Sequence, residues 1–262
     1  GRADQALAVL GEIRNGDTPP DELLLLAAEA QRRTGRTGLV LPKTHYQQWL
    51  DSLPAPALKA PSEARTFSIL LPVYNPDPRH LREAIRSVQE QTYGNWELCI
   101  ADDASTDPAV PEILHDAAAA DPRIKLLIRA QNGHISAASN SALELATGAF
   151  VGLLDHDDRL APEALAEMAR ALDAHPDLDL LYSDEDKIDA DGNRFSPHFK
   201  PAWDPDLSVV SNYICHFTVI RRELVAEVGG FRIGFEGSQD HDLVQRVAEK
   251  SAPERIGHVP RI

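Results

Sequence analysis

The sequence predicts an α/β fold, a mainly parallel sheet flanked by helices, preceded by a short helical segment. Three observations carry this reading. Short, nearly continuous apolar runs recur along residues 67–154, each followed by a stretch with helical apolar spacing, the pattern of βαβ units. Polar clusters follow these runs, as expected at the carboxyl edge of such a sheet, where ligands bind. Hydrophobic residues make up 43% of the 262, a globular value, and no apolar run approaches the roughly 20 residues of a membrane span.

In chain order, Ala6, Leu7, Val9, Leu10 and Ile13 form one apolar helical face, broken by Gly16 and Pro19-Pro20. Leu23 to Leu26 with Ala27, Ala28 and Ala30 form a second, ended near Gly35. A hairpin this small cannot bury its own core, so it docks elsewhere or continues a helical array. Pro54, Pro56 and Pro61 mark a stiff linker. The expected boundary therefore falls near residue 60, with a helical segment over 1–60 and the α/β domain over 61–262.

Phe67 to Pro72 read as a parallel strand covered on both faces. A helix with Leu81, Ala84, Ile85 and Val88 on its apolar side follows, then a strand over Trp96 to Ala101. Next come a helix over 109–119, a strand over Ile124 to Ile128, a helix over 135–146 and a strand over Phe150 to Leu154. Leu178 to Tyr182 is a further strand, and Asp191-Gly192-Asn193 a hairpin turn. His258 to Ile262 look like the start of an unfinished strand, so the chain reads as a fragment. Cys99 and Cys215 lie in strand-like apolar contexts and are expected to be buried free thiols.

A formal net charge of −15 disfavours a polyanionic partner such as nucleic acid, which needs clustered Lys and Arg. It equally disfavours a basic face for anionic lipid. No Gly-rich phosphate loop follows the first strand, which argues against nucleotidyltransferases and Rossmann dehydrogenases.

The polar clusters carry the chemistry. Pro72-Val73-Tyr74-Asn75 follows the first strand and Asp102-Asp103-Ala104-Ser105 the second. Taken singly these have turn-forming or helix-capping explanations. Asp155-His156-Asp157-Asp158 resists that explanation better. Three carboxylates within four residues repel one another, and a hard divalent cation is the natural counter-charge. A second acidic site, Gly237-Ser238-Gln239-Asp240-His241-Asp242, opens a helix carrying Leu243, Val244 and Val247. There Asp240 either complements the helix dipole, acts as a base, or does both.

Together with Asn132-Gly133-His134, Ala146-Thr147-Gly148, Tyr182-Ser183-Asp184-Glu185-Asp186-Lys187 and Gly229-Gly230-Phe231, these clusters resemble the family 2 glycosyltransferases of GT-A fold. The likeness runs from about Phe67 to the last residue and is nearest the branch that builds bacterial surface polysaccharides. It implies an inverting transfer of a sugar from a nucleotide-diphosphate donor to a saccharide or lipid-linked acceptor. Pro72, Tyr74 and Asp102 or Asp103 would hold the nucleotide, with Asn75, Asn132 and Asp155 beside them. Asp155 and Asp157 match the Asp-x-Asp pair that binds Mg²⁺ or Mn²⁺, Asp157 as the more direct ligand and His156 facing away. Asp240 matches the catalytic base, with Asp184, Glu185 and Gln239 on the acceptor side.

Two departures from the family pattern stand out. Gln239 occupies a position that often holds Glu, and no Gln-x-x-Arg-Trp stretch of the processive synthases is present. Some relatives supply a further histidine metal ligand just beyond the last residue here. The expected setting is cytoplasmic, without a transmembrane segment and with peripheral contact at the inner membrane face if the acceptor is lipid-linked. The competing reading is a degenerate transferase retained as a scaffold or sugar-binding module.

Overall fold

A computed structural model describes residues 44–52, 61, 62 and 64–262. The two helices expected within residues 3–35, and the prolines at 54 and 56, lie outside the described residues. The described chain divides into two compact units, one containing residues up to Ser52 with Asp186–Pro197, the other comprising 61–185 and 198–262.

In the first unit, helix α1 (His45–Ser52) is one the sequence reading does not include. A reciprocal capping box opens it: Gln47 N–H donates to Thr44 Oγ1 (3.1 Å) and Thr44 N–H to Gln47 Oε1 (3.0 Å). Tyr46 donates its hydroxyl to Asp186 Oδ2 at 2.7 Å, and Arg194 Nε reaches the same oxygen at 2.6 Å. The expected turn at Asp191-Gly192-Asn193 is present. Asp189 Oδ1 accepts from the backbone of Asp191 and Asn193, both at 2.9 Å, and Gly192 takes a φ of 84°.

The second unit carries the sheet. Its strands are β1 (Phe67–Val73), β2 (Trp96–Asp102), β3 (Ile124–Ile128), β4 (Phe150–Leu153), β5 (Leu180–Ser183), β8 (Thr218–Arg221) and β9 (Ile256–Val259). The strands between, β6 (Glu185–Ile188) and β7 (Arg194–His198), form the separate hairpin around the turn just described. The seven-stranded order is β3-β2-β1-β4-β8-β5-β9, with β8 antiparallel to both neighbours and every other pairing parallel.

The helices are α2 (Pro78–Gln89), α3 (Ala109–Ala120), α4 (His134–Leu145), α5 (Ala164–Ala174), α6 (Pro205–Val210), α7 (Arg222–Glu227) and α8 (Gln239–Ala248). The elements expected between residues 67 and 154 appear with ends shifted by one residue at most.

All seven residues of β1 and of β2 are buried, as strands covered on both faces must be. Phe67, Ile69, Leu71 and Val73 point into one core with Trp96, Leu98 and Ile100, while Leu70 joins Cys99 and Ala101 in the other. The small buried residues Ser136, Ala138, Ser139, Ser141 and Ala142 form the packed face of α4. Glu97, buried on β2, accepts from Ser68 Oγ (2.7 Å), Thr147 N (2.6 Å) and Thr147 Oγ1 (2.8 Å) and pairs with Lys125 at 2.7 Å. It thereby ties β1, β2, β3 and the Thr147-Gly148 turn together.

One expectation is corrected here. Cys99 is a fully buried free thiol, but Cys215 is only half-buried and is not in a strand. Residues 213–216 form an irregular segment ahead of β8, with Cys215 at a φ of 34°. Their apolar side chains mimic a strand, yet the segment turns to face a cavity.

Candidate active site

A cavity of about 350 Å³ opens at the carboxyl ends of β1 and β4. Leu70 and Pro72 floor it from β1, Ile135 and Ser139 flank it from α4, and Leu153, Leu154 and Asp155 close it from β4. The rest of the lining is Asn212, Cys215 and His216 from the segment before β8, with Phe231, Gly237, Gln239 and Asp240 from the approach to α8.

On one side of the cavity Asp155, Asp158 and His216 converge, each offering a ligand atom within 4.8 Å of the others. His216 Nε2 stands 3.7 Å from Asp155 Oδ2 and 3.6 Å from Asp158 Oδ2. These separations are too long for hydrogen bonds and suit two ligands of one small divalent cation with bonds of about 2.0–2.2 Å. Burial, with the neighbouring carboxylates, pushes the Asp155 and Asp158 carboxyls above the usual range, and His216 works against this. Burial by itself would lower His216, but its hydrogen bond and charge interaction with Cys215, then the charges of Asp158 and Asp155, carry it up to about 10. Crowded carboxylates around one cation-accepting gap fit a divalent metal by the chemistry of the donor set.

Asp157 stands outside this trio, with 62% of its side chain exposed and His156 Nδ1 at 3.7 Å. His156 Nδ1 is itself buried, with no hydrogen-bond partner among the described residues.

Lys200 fastens the His216 segment. Its side chain is fully buried, and its ammonium donates to Glu185 Oε2 (3.0 Å), Ile214 O (2.5 Å) and His216 O. Glu185 Oε2 also accepts from His216 N–H at 3.2 Å. Burial raises the Glu185 carboxyl, but the Lys200 charge and hydrogen bond hold it below its ordinary value. Asp184 is also committed inside the fold, its Oδ1 accepting from Lys200 N–H and facing His258 Nε2, both at 2.8 Å.

Asp240, which lines the same cavity, sits in the first turn of α8, and Asn212 Nδ2 donates to its Oδ2 at 2.7 Å. Its neighbour Asp242 faces elsewhere, gripped by Arg246 Nε (2.9 Å) and by Arg232. Arg246 also donates to the carbonyls of Val228 and Gly230, both at 2.7 Å, pinning the Gly229-Gly230-Phe231 turn to α8. Asn140 closes that turn from α4, accepting from Phe231 N–H (2.9 Å) and donating to Phe231 O (2.7 Å). Gln239 lines the cavity, and its Oε1 accepts from Gly237 N–H at 2.8 Å.

The residues expected to hold the nucleotide gather at the ends of β1 and β2. Pro72 is buried, while Tyr74 is exposed at 46%. Asn75 Oδ1 accepts from Thr106 N–H at 2.7 Å and so shapes the loop after β2. Asp102, buried, accepts from Ser105 Oγ at 2.5 Å. Asp103 pairs with Arg129 at 2.7 Å and accepts Gly133 N–H at 3.0 Å, and Asn132 Nδ2 donates to Asp103 O at 3.3 Å. Sequence reasoning includes Asp158 in the acidic cluster without naming it as a ligand, and misses Asn212, Arg129, Lys200 and His216 as parts of this region.

The fold is that of the GT-A glycosyltransferases. Residues 68–229 match the model of the family described as glycosyl transferase family 2, and the chain belongs to that family. It is 52% identical over 196 residues to the uncharacterized protein y4gI of Sinorhizobium fredii, covering 75% of this chain and 22% of that protein. It is 46% identical over 193 residues to the O-antigen biosynthesis protein RfbC of Myxococcus xanthus, covering 74% of this chain and 15% of that protein.

The chain thus spans about a fifth or less of the length of these relatives. Among solved structures, S. aureus TarS 1–349 superimposes with a TM-score of 0.61 at 22% identity, over 75% of this chain and 58% of that one. The mannosyltransferase PcManGT of Pyrobaculum calidifontis, in complex with GDP-Man and Mn²⁺, gives 0.56 at 20% identity, over 82% and 62%. Among the described residues no helix is long and apolar enough to cross a membrane.

Proposed function

We propose that residues 61–262 form the transferase domain of an inverting glycosyltransferase that builds a bacterial surface polysaccharide. The donor is a nucleotide-diphosphate sugar and the acceptor a saccharide or lipid-linked hydroxyl. The work takes place in the cytoplasm, with peripheral contact at the inner membrane face for a lipid-linked acceptor. The observation that carries the reading is that Asp155, at the end of β4, and Asp240, in the first turn of α8, line one cavity. A displacement at an anomeric carbon needs two acidic sites, one toward the leaving diphosphate and one toward the incoming hydroxyl.

Asp155, Asp158 and His216 would hold Mg²⁺ or Mn²⁺, which offsets the negative charge developing on the diphosphate. Mn²⁺ in the PcManGT complex supports this choice of ion. Asp240 takes the acceptor hydroxyl's proton, and the acceptor oxygen bonds to the anomeric carbon from the side opposite the leaving group. The bond from that carbon to the diphosphate oxygen breaks, its electron pair leaving with the diphosphate. The loops bearing Pro72, Tyr74, Asn75, Asp102, Asp103 and Asn132 supply the nucleotide subsite.

The test is a panel of nucleotide sugars and simple acceptors with Mn²⁺, scored for transfer and for anomeric configuration by NMR. One donor should be turned over with inversion. Asp240→Ala should cut transfer by roughly 10²–10⁴-fold, the range of a positioned base, while donor binding persists. Retention of configuration, or full transfer by Asp240→Ala, would refute the assignment.

A further inference from the structure

Asn212 stands apart from the other residues of the cavity wall. Its Nδ2 donates to Asp240 Oδ2 at 2.7 Å, while its Oδ1 is buried and has no hydrogen-bond partner among the described residues. A buried amide oxygen left unpaired is a cost that native structures rarely carry without a reason. A residue serving only to tie the Ser211–His216 segment to α8 would have no need of it.

The segment that carries Asn212 is held firmly. Tyr213 is buried and its hydroxyl accepts Asp204 N–H at 3.0 Å, and Lys200 grips the carbonyls of Ile214 and His216. α8 is tied to α6 nearby, where Gln245 Nε2 donates to Ser208 O at 2.8 Å. Asn212 and Asp240 therefore meet as two fixed groups on the same wall, the arrangement that positioning of a reacting group requires.

We propose that Asn212 positions the acceptor side of the reaction. Its amide nitrogen fixes the Asp240 carboxylate, leaving the other carboxylate oxygen for the attacking hydroxyl. Its amide oxygen accepts from a second hydroxyl on the same acceptor sugar, adjacent to the first. The acceptor class that follows is a sugar presenting two neighbouring hydroxyls, one that reacts and one that is read. Asn212 neither gains nor loses a proton; the proton, the new bond and the leaving group go as described above. This inference rests on the transferase reading of the cavity.

The experiment uses methyl hexosides and their monodeoxy analogues as acceptors, with whichever nucleotide sugar the wild type turns over. Initial rates are compared for wild type, Asn212→Ala and Asn212→Asp, with donor affinity measured separately by titration. Circular dichroism and urea midpoints check folding.

Asn212→Ala should lose about 10- to 100-fold in kcat/KM for the acceptor, a size expected of a misplaced base, with donor affinity within twofold of wild type. Asn212→Asp keeps the side-chain size but cannot donate to Asp240, so it should be as poor as Asn212→Ala. The deoxy analogue lacking the read hydroxyl should slow the wild type about tenfold, as loss of one hydrogen bond does. It should slow Asn212→Ala no further.

Additive losses, an active Asn212→Asp variant, or equal loss of donor affinity would overturn the role of Asn212 and leave the transferase reading standing. No turnover of any donor by the wild type would overturn that reading, and this inference with it.

Discussion

Glu97 offers a stability test that the geometry makes quantitative. The carboxylate lies between four elements with about 10% of its side chain exposed. Burial pushes its pKa upward, but Lys125, the Thr147 backbone, Ser68 and the Thr147 hydroxyl outweigh this and hold it at about 2, against an ordinary 4.5. A carboxyl depressed on folding stabilises the fold above its unfolded pKa and loses that contribution as pH falls through the folded one.

The difference of about 2.5 units, at about 1.4 kcal/mol each, gives roughly 3 kcal/mol at pH 7. By the same relation less than half of it survives at pH 3. Glu97→Gln keeps the shape and removes the charge. In urea unfolding the variant should be about 3 kcal/mol less stable than wild type at pH 7, the gap narrowing to about 1–1.5 kcal/mol at pH 3. Because other carboxyls titrate equally in both proteins, they cancel in the difference. A gap under about 1 kcal/mol at pH 7, or one independent of pH, would refute the placement of this charge.

Three further outcomes are expected. Lys200→Met strands Glu185 and two backbone carbonyls, and should cost about 3–5 kcal/mol in urea midpoint analysis; a loss below about 1 kcal/mol would contradict the network. Gly230→Ala places a Cβ 2.6 Å from Asn140 Oδ1 at a φ of +68°. It should cost about 1–3 kcal/mol, read by thermal unfolding, and an unchanged midpoint would mean the turn is not clamped as described. Asp158→Ala and His216→Ala should each weaken Mn²⁺ binding, followed by electron paramagnetic resonance, by about tenfold or more. Asp157→Ala should weaken it less; the reverse order would return the metal to the Asp155–Asp157 pair.

Much of the fold was legible because its signals are local. β1 and β2 are mostly apolar along their buried length, and α2 and α4 repeat their buried residues at helical spacing. The clusters at residues 72–75, 102–105 and 155–158 follow the strands that aim them.

What escaped depends on contacts distant in the chain. The β8 position, antiparallel between β4 and β5, follows from pairing of Thr218–Arg221 with strands tens of residues earlier, which periodicity does not encode. Tyr213 to Cys215 read as a strand because their side chains are apolar, yet burial there serves a loop wall. His216 and Asn212 have no motif of their own; only the folded segment before β8 brings them to Asp155, Asp158 and Asp240. α1 does carry a local signal, the Thr44-His45-Tyr46-Gln47 capping box, but the prolines after it give that stretch the composition of a linker.

The most direct test of the cavity as a sugar-nucleotide site is calorimetric titration with UDP, GDP, ADP, CDP and dTDP, each with and without Mn²⁺. Wild type, Asp155→Ala and Asp240→Ala should be compared. At least one nucleoside diphosphate should bind in the presence of Mn²⁺ only, Asp155→Ala should abolish that binding, and Asp240→Ala should leave it intact. Binding that ignores both Mn²⁺ and Asp155→Ala, or no binding of any of the five, would contradict the assignment of the two acidic sites.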